Sequence, residues 1–158
     1  VRDIARGRIG GVTVDDAAVF LGRFTGGALA TFEATRFATG RKNSIRIEIN
    51  GSAGSLAFDF EDMNVLQVYD QTANPDLAGF TRVLVTEPSH PYVGAWWPAG
   101  HVLGYEHAFT HQVVDLLTAI AEGRDPEPSF ADGLAVQRVL GAVEESAAKN
   151  SVWTEVPR

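Results

Sequence analysis

The alternation of Ile45, Ile47 and Ile49 with Arg46, Glu48 and Asn50 constrains this chain more than any other feature. After the turn Asn50-Gly51-Ser52-Ala53-Gly54, Leu56, Phe58 and Phe60 alternate with Ala57 and Asp59. A strict period of two on both arms around Asn-Gly specifies a β-hairpin. The pattern predicts one buried face and one charged face. A second hairpin is expected from residues 12–24 and 28–37, joined by Thr25-Gly26-Gly27, where glycine accepts positive φ. In its second arm Ala30, Phe32 and Ala34 share a face with Arg36, while Leu29, Thr31, Glu33 and Thr35 share the other. Both faces are mixed, which predicts contact on both sides. Residues 64–70 and 80–86 read as further strands, with Asn74-Pro75 breaking the chain between them.

Helical spacing begins only later. Pro88, Pro91 and Pro98 exclude a long helix over 87–103, and a loop of that length more often serves function than connection. Phe109, Val113, Leu116, Leu117 and Ile120 then fall on one stripe of a helix ending near Gly123. A second helix follows Pro126 and Pro128. Ser129 and Asp132 form its capping box, its expected apolar face is Val136, Val139, Leu140, Val143 and Ala147, and Lys149 and Asn150 suit its end. Residues 151–156 read as a short last strand. Strands grouped before helices predict an α+β fold: an open-faced, mainly antiparallel β-sheet with helices packed on one face. Residues 1–11 are expected to be a linker or a truncated start, and 12–158 a single α+β domain. A start at Val rather than Met fits a processed protein, a piece of a longer one or an engineered start.

Composition removes several function classes. A net charge of −7 argues against nucleic acid and against an anionic membrane surface. The absence of Cys rules out disulfides and thiolate metal sites. No apolar run approaches the roughly 20 residues of a membrane span. A cytoplasmic protein is the expectation.

All four histidines lie in the run His90–His111, together with Trp96, Trp97, Tyr92 and Tyr105. This concentration of hydrogen-bonding rings marks the expected pocket. No segment has the form of a nucleotide site. A dinucleotide fingerprint needs its glycines between a strand and a helix, whereas Gly10-Gly11, Gly26-Gly27 and Gly51 to Gly54 lie between apparent strands or in the leading segment. No serine sits in a G-x-S-x-G turn. His107, His111 and Asp115 recur at four-residue spacing on one stripe opposite the apolar one. Such histidines can share a metal, but the Glu of an H-E-x-x-H helix is missing, and a solvated or subunit-facing polar surface explains the stripe equally. His101, just ahead of the first helix, and Tyr105 both donate and accept, which suits substrate hydroxyls. Trp96 and Trp97 offer a flat apolar face to a sugar ring. A packed structural role for His101 and Tyr105 stands as the alternative. Arg36 is read either as an ion-pair partner of Glu33 or Glu48 or as a ligand-binding cation.

The segments VTVDDAAVFLGRFTGGALATFEATRFATGRKNSIRIEINGSAGSLAFDFEDMNVLQVYD and HPYVGAWWPAGHVLGYEHAFTHQVVDLLTAI, then PSFADGLAVQRVLGAVEESA and Trp153, resemble the second domain of the Gfo/Idh/MocA family of sugar and polyol oxidoreductases. The resemblance runs from about Val12 to Pro157. It implies an open-faced α+β domain that completes a substrate pocket and makes oligomer contacts, beside an N-terminal Rossmann domain that binds NAD or NADP. The family's Glu-Lys-Pro lysine and its Asp-x-x-x-His pair have no counterpart here, since no D-x-x-x-H occurs in the chain. The resemblance therefore implies no catalytic, cofactor-binding or metal-binding residue in this chain. What it carries over is a substrate-binding wall of His101, Tyr105, Trp97 and Arg36. The expected function is that of a substrate and oligomerisation domain of an NAD(P)-dependent sugar or polyol dehydrogenase, inactive as the isolated chain, with a homo-oligomer formed through the open sheet face. Two other classes remain: a stand-alone binding or assembly module using that face, and a metal-assisted hydrolase or isomerase using His107, His111 and Asp115.

Overall fold

The computed structural model describes residues 2–3, 8–9, 11 and 13–157. The chain divides into two compact units, Val1–Arg41 and Lys42–Arg158. In the first unit two short strands, β1 (Arg2–Asp3) and β2 (Arg8–Ile9), pair antiparallel. The reading of 1–11 as a strandless linker is thus corrected at these four residues; Gly11 apart, the remainder of that segment lies outside the described residues.

The expected second hairpin is present as β3 (Ala17–Arg23) and β4 (Leu29–Thr35), in register from Ala17↔Thr35 to Arg23↔Leu29. Gly27 takes φ +88°, and the Phe24 amide bonds the Ala28 carbonyl at 2.9 Å to close the turn. The register sets Phe20 opposite Phe32, and their rings stack at 4.6 Å. Gly22 makes room for that stack: a Cβ there would stand 3.0 Å from the Phe32 ring. The mixed-face reading predicted contact on both sides, but Val19, Leu21 and Leu29 stay exposed.

In the second unit β5 (Arg46–Gly51), β6 (Gly54–Asp59), β7 (Val65–Asp70) and β8 (Thr81–Leu84) form an antiparallel sheet in sequence order. The turn needs glycine at 54, where φ is +153° and a Cβ would lie 2.0 Å from the Tyr69 carbonyl oxygen. The register places Ile47, Ile49, Leu56, Phe58, Leu66, Val68 and Val83 on one face. On the opposite face Arg46 pairs with Asp59 across strands at 2.9 Å. The predicted burial of the hairpin's apolar face needs correction. Ile45, Ile47, Ile49 and Leu56 are exposed. Alternation determines which residues share a face, and β5 stands at the sheet's edge with every residue exposed.

Two helices follow, α1 (Tyr105–Glu122) and α2 (Phe130–Ala148). Gly123, at φ +67°, ends α1. Ser129 and Asp132 cap α2 as expected: the Ser129 amide and hydroxyl reach the Asp132 carboxylate at 2.7 and 2.8 Å. The faces are not as expected. Ala119 is wholly buried and His107, His111 and Asp115 are half-buried, while Phe109, Val113, Leu116, Leu117 and Ile120 face solvent. In α2, Ala142 is buried and Val139 and Val143 are half-buried, but Val136, Leu140 and Ala147 are exposed. The last strand is also corrected: residues 151–156 join no ladder. Asn150 and Ser151 take left-handed φ of 60° and 61°, and the Ser146 hydroxyl donates to the Val152 carbonyl, folding the tail back on α2. The α+β class with antiparallel, open sheets and two helices stands. Its core is small: Val65, Thr86, Val93, Ala119 and Ala142. Among the described residues no helix is long and apolar enough to cross a membrane.

Candidate functional site

The segment between β8 and α1 is held at both ends. At its start the Glu87 amide donates to His90 Nδ1 at 3.0 Å. At its end Asn64 bonds Leu103 twice, its Oδ1 accepting from the amide at 2.9 Å and its Nδ2 donating to the carbonyl at 2.8 Å. Between them Tyr92 adopts a left-handed φ of 66°, a conformation that costs a bulky residue energy and needs its surroundings to enforce it. Val93, next in line and 1% exposed, plugs the core. One 3-10 turn over Val93–Ala95 then delivers Trp96 and Trp97.

These rings meet the inward face of α1. Trp96 Nε1 donates to His111 Nε2 at 2.7 Å. The Tyr92 ring stacks on His111 at 4.3 Å with 12° between the planes, and its hydroxyl donates to Asp115 Oδ2 at 2.8 Å. Trp96 meets His107 edge-on at 4.4 Å, and Trp97 meets the same ring at 6.1 Å. His107, its side chain 11% exposed, accepts the Gly104 amide at Nδ1 and so caps the helix that carries it. Residues 107, 111 and 115 face one way because they recur every four positions. A neutral His111 accepting at Nε2 carries its proton on Nδ1. The hydrogen bond to Asp115 raises the Tyr92 hydroxyl above the usual tyrosine range, with smaller contributions from burial and from the carboxylate's charge. A shallow cleft of about 150 Å³ opens beside the stack, lined by Tyr92, Ala95, Trp96, Thr110, His111 and Val114. A larger, open depression of about 560 Å³ is bordered by Asp125, Glu127, Ser129 and Asp132, of which the last two are engaged in capping α2.

The four expected site residues occupy different settings. Trp97 is a half-exposed member of the ring stack. His101 is exposed, and its Nδ1 lies 2.9 Å from the Pro98 carbonyl and 3.3 Å from that of Ala99. Carbonyls only accept, so Nδ1 is the donor and Nε2 is the nitrogen left to meet a ligand. Tyr105, at the start of α1, lies edge-on to Phe60 at 6.1 Å and to Phe109 at 5.0 Å. Arg36 belongs to the first unit and pairs with Asp16 at 3.7 Å, rather than with Glu33 or Glu48. The polar stripe of α1 is half-buried at His107, His111 and Asp115. His107, His111 and Asp115 each spend an acceptor on Gly104, Trp96 and Tyr92, and no cluster of metal-ligating side chains occurs among the described residues. Sequence reasoning missed Asn64, whose contact spans 39 residues and leaves no local signal. It also missed the pairing of Tyr92 with Asp115, although the crowding of rings pointed to the region.

The Gfo/Idh/MocA C-terminal domain family matches over residues 2–57. Levoglucosan dehydrogenase of Pseudarthrobacter phenanthrenivorans is 43% identical over 150 residues, covering 94% of this chain and 38% of that protein. An oxidoreductase domain protein from Kribbella flavida superposes with a TM-score of 0.90 at 74% identity, over 94% of this chain and 40% of that one. A levoglucosan dehydrogenase structure in complex with NADH and levoglucosan superposes with a TM-score of 0.89 at 43% identity, over the same shares. The chain thus spans about two fifths of the length of the relatives it matches.

Proposed function

We propose, from the premise that this chain belongs to the Gfo/Idh/MocA family as a C-terminal domain, that it supplies the substrate wall and the oligomer contacts of a cytoplasmic, NAD(P)-dependent sugar or polyol dehydrogenase. The observation that carries the reading is the 43% identity across 94% of the chain to a dehydrogenase whose structure holds NADH and levoglucosan. The residues present do not fit a dinucleotide. Gly26-Gly27 and Gly51 to Gly54 turn β-hairpins, and no glycine-rich turn leads from a strand into α1 or α2. In the proposed dehydrogenase the nicotinamide would be held by residues other than these and would supply the hydride chemistry.

The task of this chain is binding. His101 Nε2 meets a sugar hydroxyl, Trp97 lays an apolar face against the ring, and Tyr105 extends the wall; Arg36, in the first unit, is a separate candidate for binding substrate. The network of Tyr92, Trp96, His107, His111 and Asp115 holds the segment that carries Trp97 and His101. Substrate positioned by such groups gains rate through orientation. The exposed apolar face of β5 and β6 is the seat of a second copy. The test is steady-state kinetics of the dehydrogenase bearing this domain. His101→Ala and Trp97→Ala are expected to raise KM for the sugar while leaving NADH affinity unchanged. Turnover by the isolated 158-residue chain with NAD or NADP and a polyol panel refutes the reading, as does an unchanged KM in both variants.

A further inference from the structure

The contact between Trp96 and His111 has a chemical asymmetry. It exists only while His111 Nε2 holds a lone pair, because the indole N–H can only donate. A proton on Nε2 would set two donors face to face across 2.7 Å. The Tyr92 ring, stacked at 4.3 Å, presents a π-face that favours a cationic imidazole. Asp115, one turn along α1 and bonded to the Tyr92 hydroxyl, adds a carboxylate on the same side. His107, one turn the other way, touches Trp96 and Trp97 and keeps its own Nδ1 on Gly104. Glu106 lies beside His107, and the loop that carries Trp96 adds Glu87, whose amide bonds His90 Nδ1, and His101, whose Nδ1 faces the Pro98 carbonyl.

We propose that Trp96 and His111 form a proton-operated latch. Neutral His111 holds Trp96 and, through it, the segment carrying Trp97 and His101. Protonated His111 keeps the Tyr92 ring, drops the indole N–H and lets Trp96 leave α1. The proposal concerns this chain alone and does not depend on the dehydrogenase reading.

The test uses the tryptophan band of the near-UV circular dichroism of the chain, scanned across about pH 8 to 5, where histidine changes charge. A reversible loss of signal with an unchanged far-UV helix spectrum is expected. His111→Gln keeps an acceptor and does not titrate, so it abolishes the transition, whereas His107→Gln retains it. A transition that persists in His111→Gln, or a wild-type band flat across the range, overturns the latch. Should His111→Gln not fold, the wild-type indole N–H resonance of Trp96 decides. Faster exchange with water on acidification supports release, and unaltered protection refutes it.

Discussion

The outward turn of the α1 apolar stripe inverts the usual consequences of mutating an amphipathic helix. Were Ile120 a core residue, Ile120→Ala would cost about 2–5 kcal/mol. In this structure Ile120 is 66% exposed, so only about a third of its side chain is removed from water. Full burial of such a side chain is worth about 1.5–3 kcal/mol, which leaves about 0.5–1 kcal/mol to lose. Ala119, its sequence neighbour, is fully buried at 0%. Ala119→Leu forces three extra carbons into the packed inner face and is expected to cost about 1–3 kcal/mol. Urea unfolding of the isolated chain, followed by far-UV circular dichroism, separates the two. With a slope of about 1–3 kcal/mol per molar urea, Ala119→Leu lowers the midpoint by roughly 1 M and Ile120→Ala by a few tenths. A larger loss for Ile120→Ala than for Ala119→Leu refutes the inward assignment of the histidine face.

Three further outcomes follow from the same contacts. Gly54→Ala puts a Cβ against the Tyr69 carbonyl at a φ glycine alone tolerates, and is expected to cost upward of about 1 kcal/mol in the same unfolding assay. Ser129→Ala removes the α2 cap and about 1 kcal/mol; because bonds from Ser129 hold the Asp132 carboxylate below its ordinary value, that carboxylate's contribution is present above its unfolded pKa and lost as pH falls through the lowered folded one, so the acid limb of the stability profile is shallower in the variant. Tyr92 has the opposite sign: its hydroxyl is raised by Asp115, so its contribution is present below the unfolded tyrosine value and lost as pH rises through the folded one, and Tyr92→Phe flattens the alkaline limb of the midpoint-against-pH curve.

Where neighbours in sequence decide the outcome, the residues announce it. The β5–β6 register follows from a two-residue turn and a period of two. The Ser129–Asp132 box needs partners three apart, and Gly123 ends α1 through its own φ. Where the outcome depends on what lies across the fold, they do not. Spacing places Phe109, Val113, Leu116, Leu117 and Ile120 on one stripe and His107, His111 and Asp115 on another, but a period of 3.6 carries no sign saying which stripe turns inward. The same gap explains Val136 and Leu140 on α2, and the tail at 151–156, which reads as a short strand but joins no ladder among the described residues. Arg36 was legible as an ion-pair residue; its partner, Asp16, was set by the β3–β4 register rather than by nearness in sequence.

A polar stripe turns inward only if its hydrogen-bonding atoms are satisfied there, since each buried donor or acceptor left unpaired costs about 1–3 kcal/mol. The loop before α1 meets that condition group by group. Trp96 supplies the donor that His111 accepts, Tyr92 supplies one for Asp115, and the Gly104 amide, which a helix start would otherwise leave open, goes to His107. No buried side-chain nitrogen or oxygen is left without a partner among the described residues. The concentration of rings that first marked this segment is therefore also what permits its burial. Tyr92, stacked on His111 and left-handed in backbone, precedes Trp97 and His101 on the same segment ahead of α1. Loosening one bond of the network, at Asp115 or at His111, should therefore reach both residues at once, which makes the segment of Trp97 and His101 and the histidine face of α1 one mechanical element.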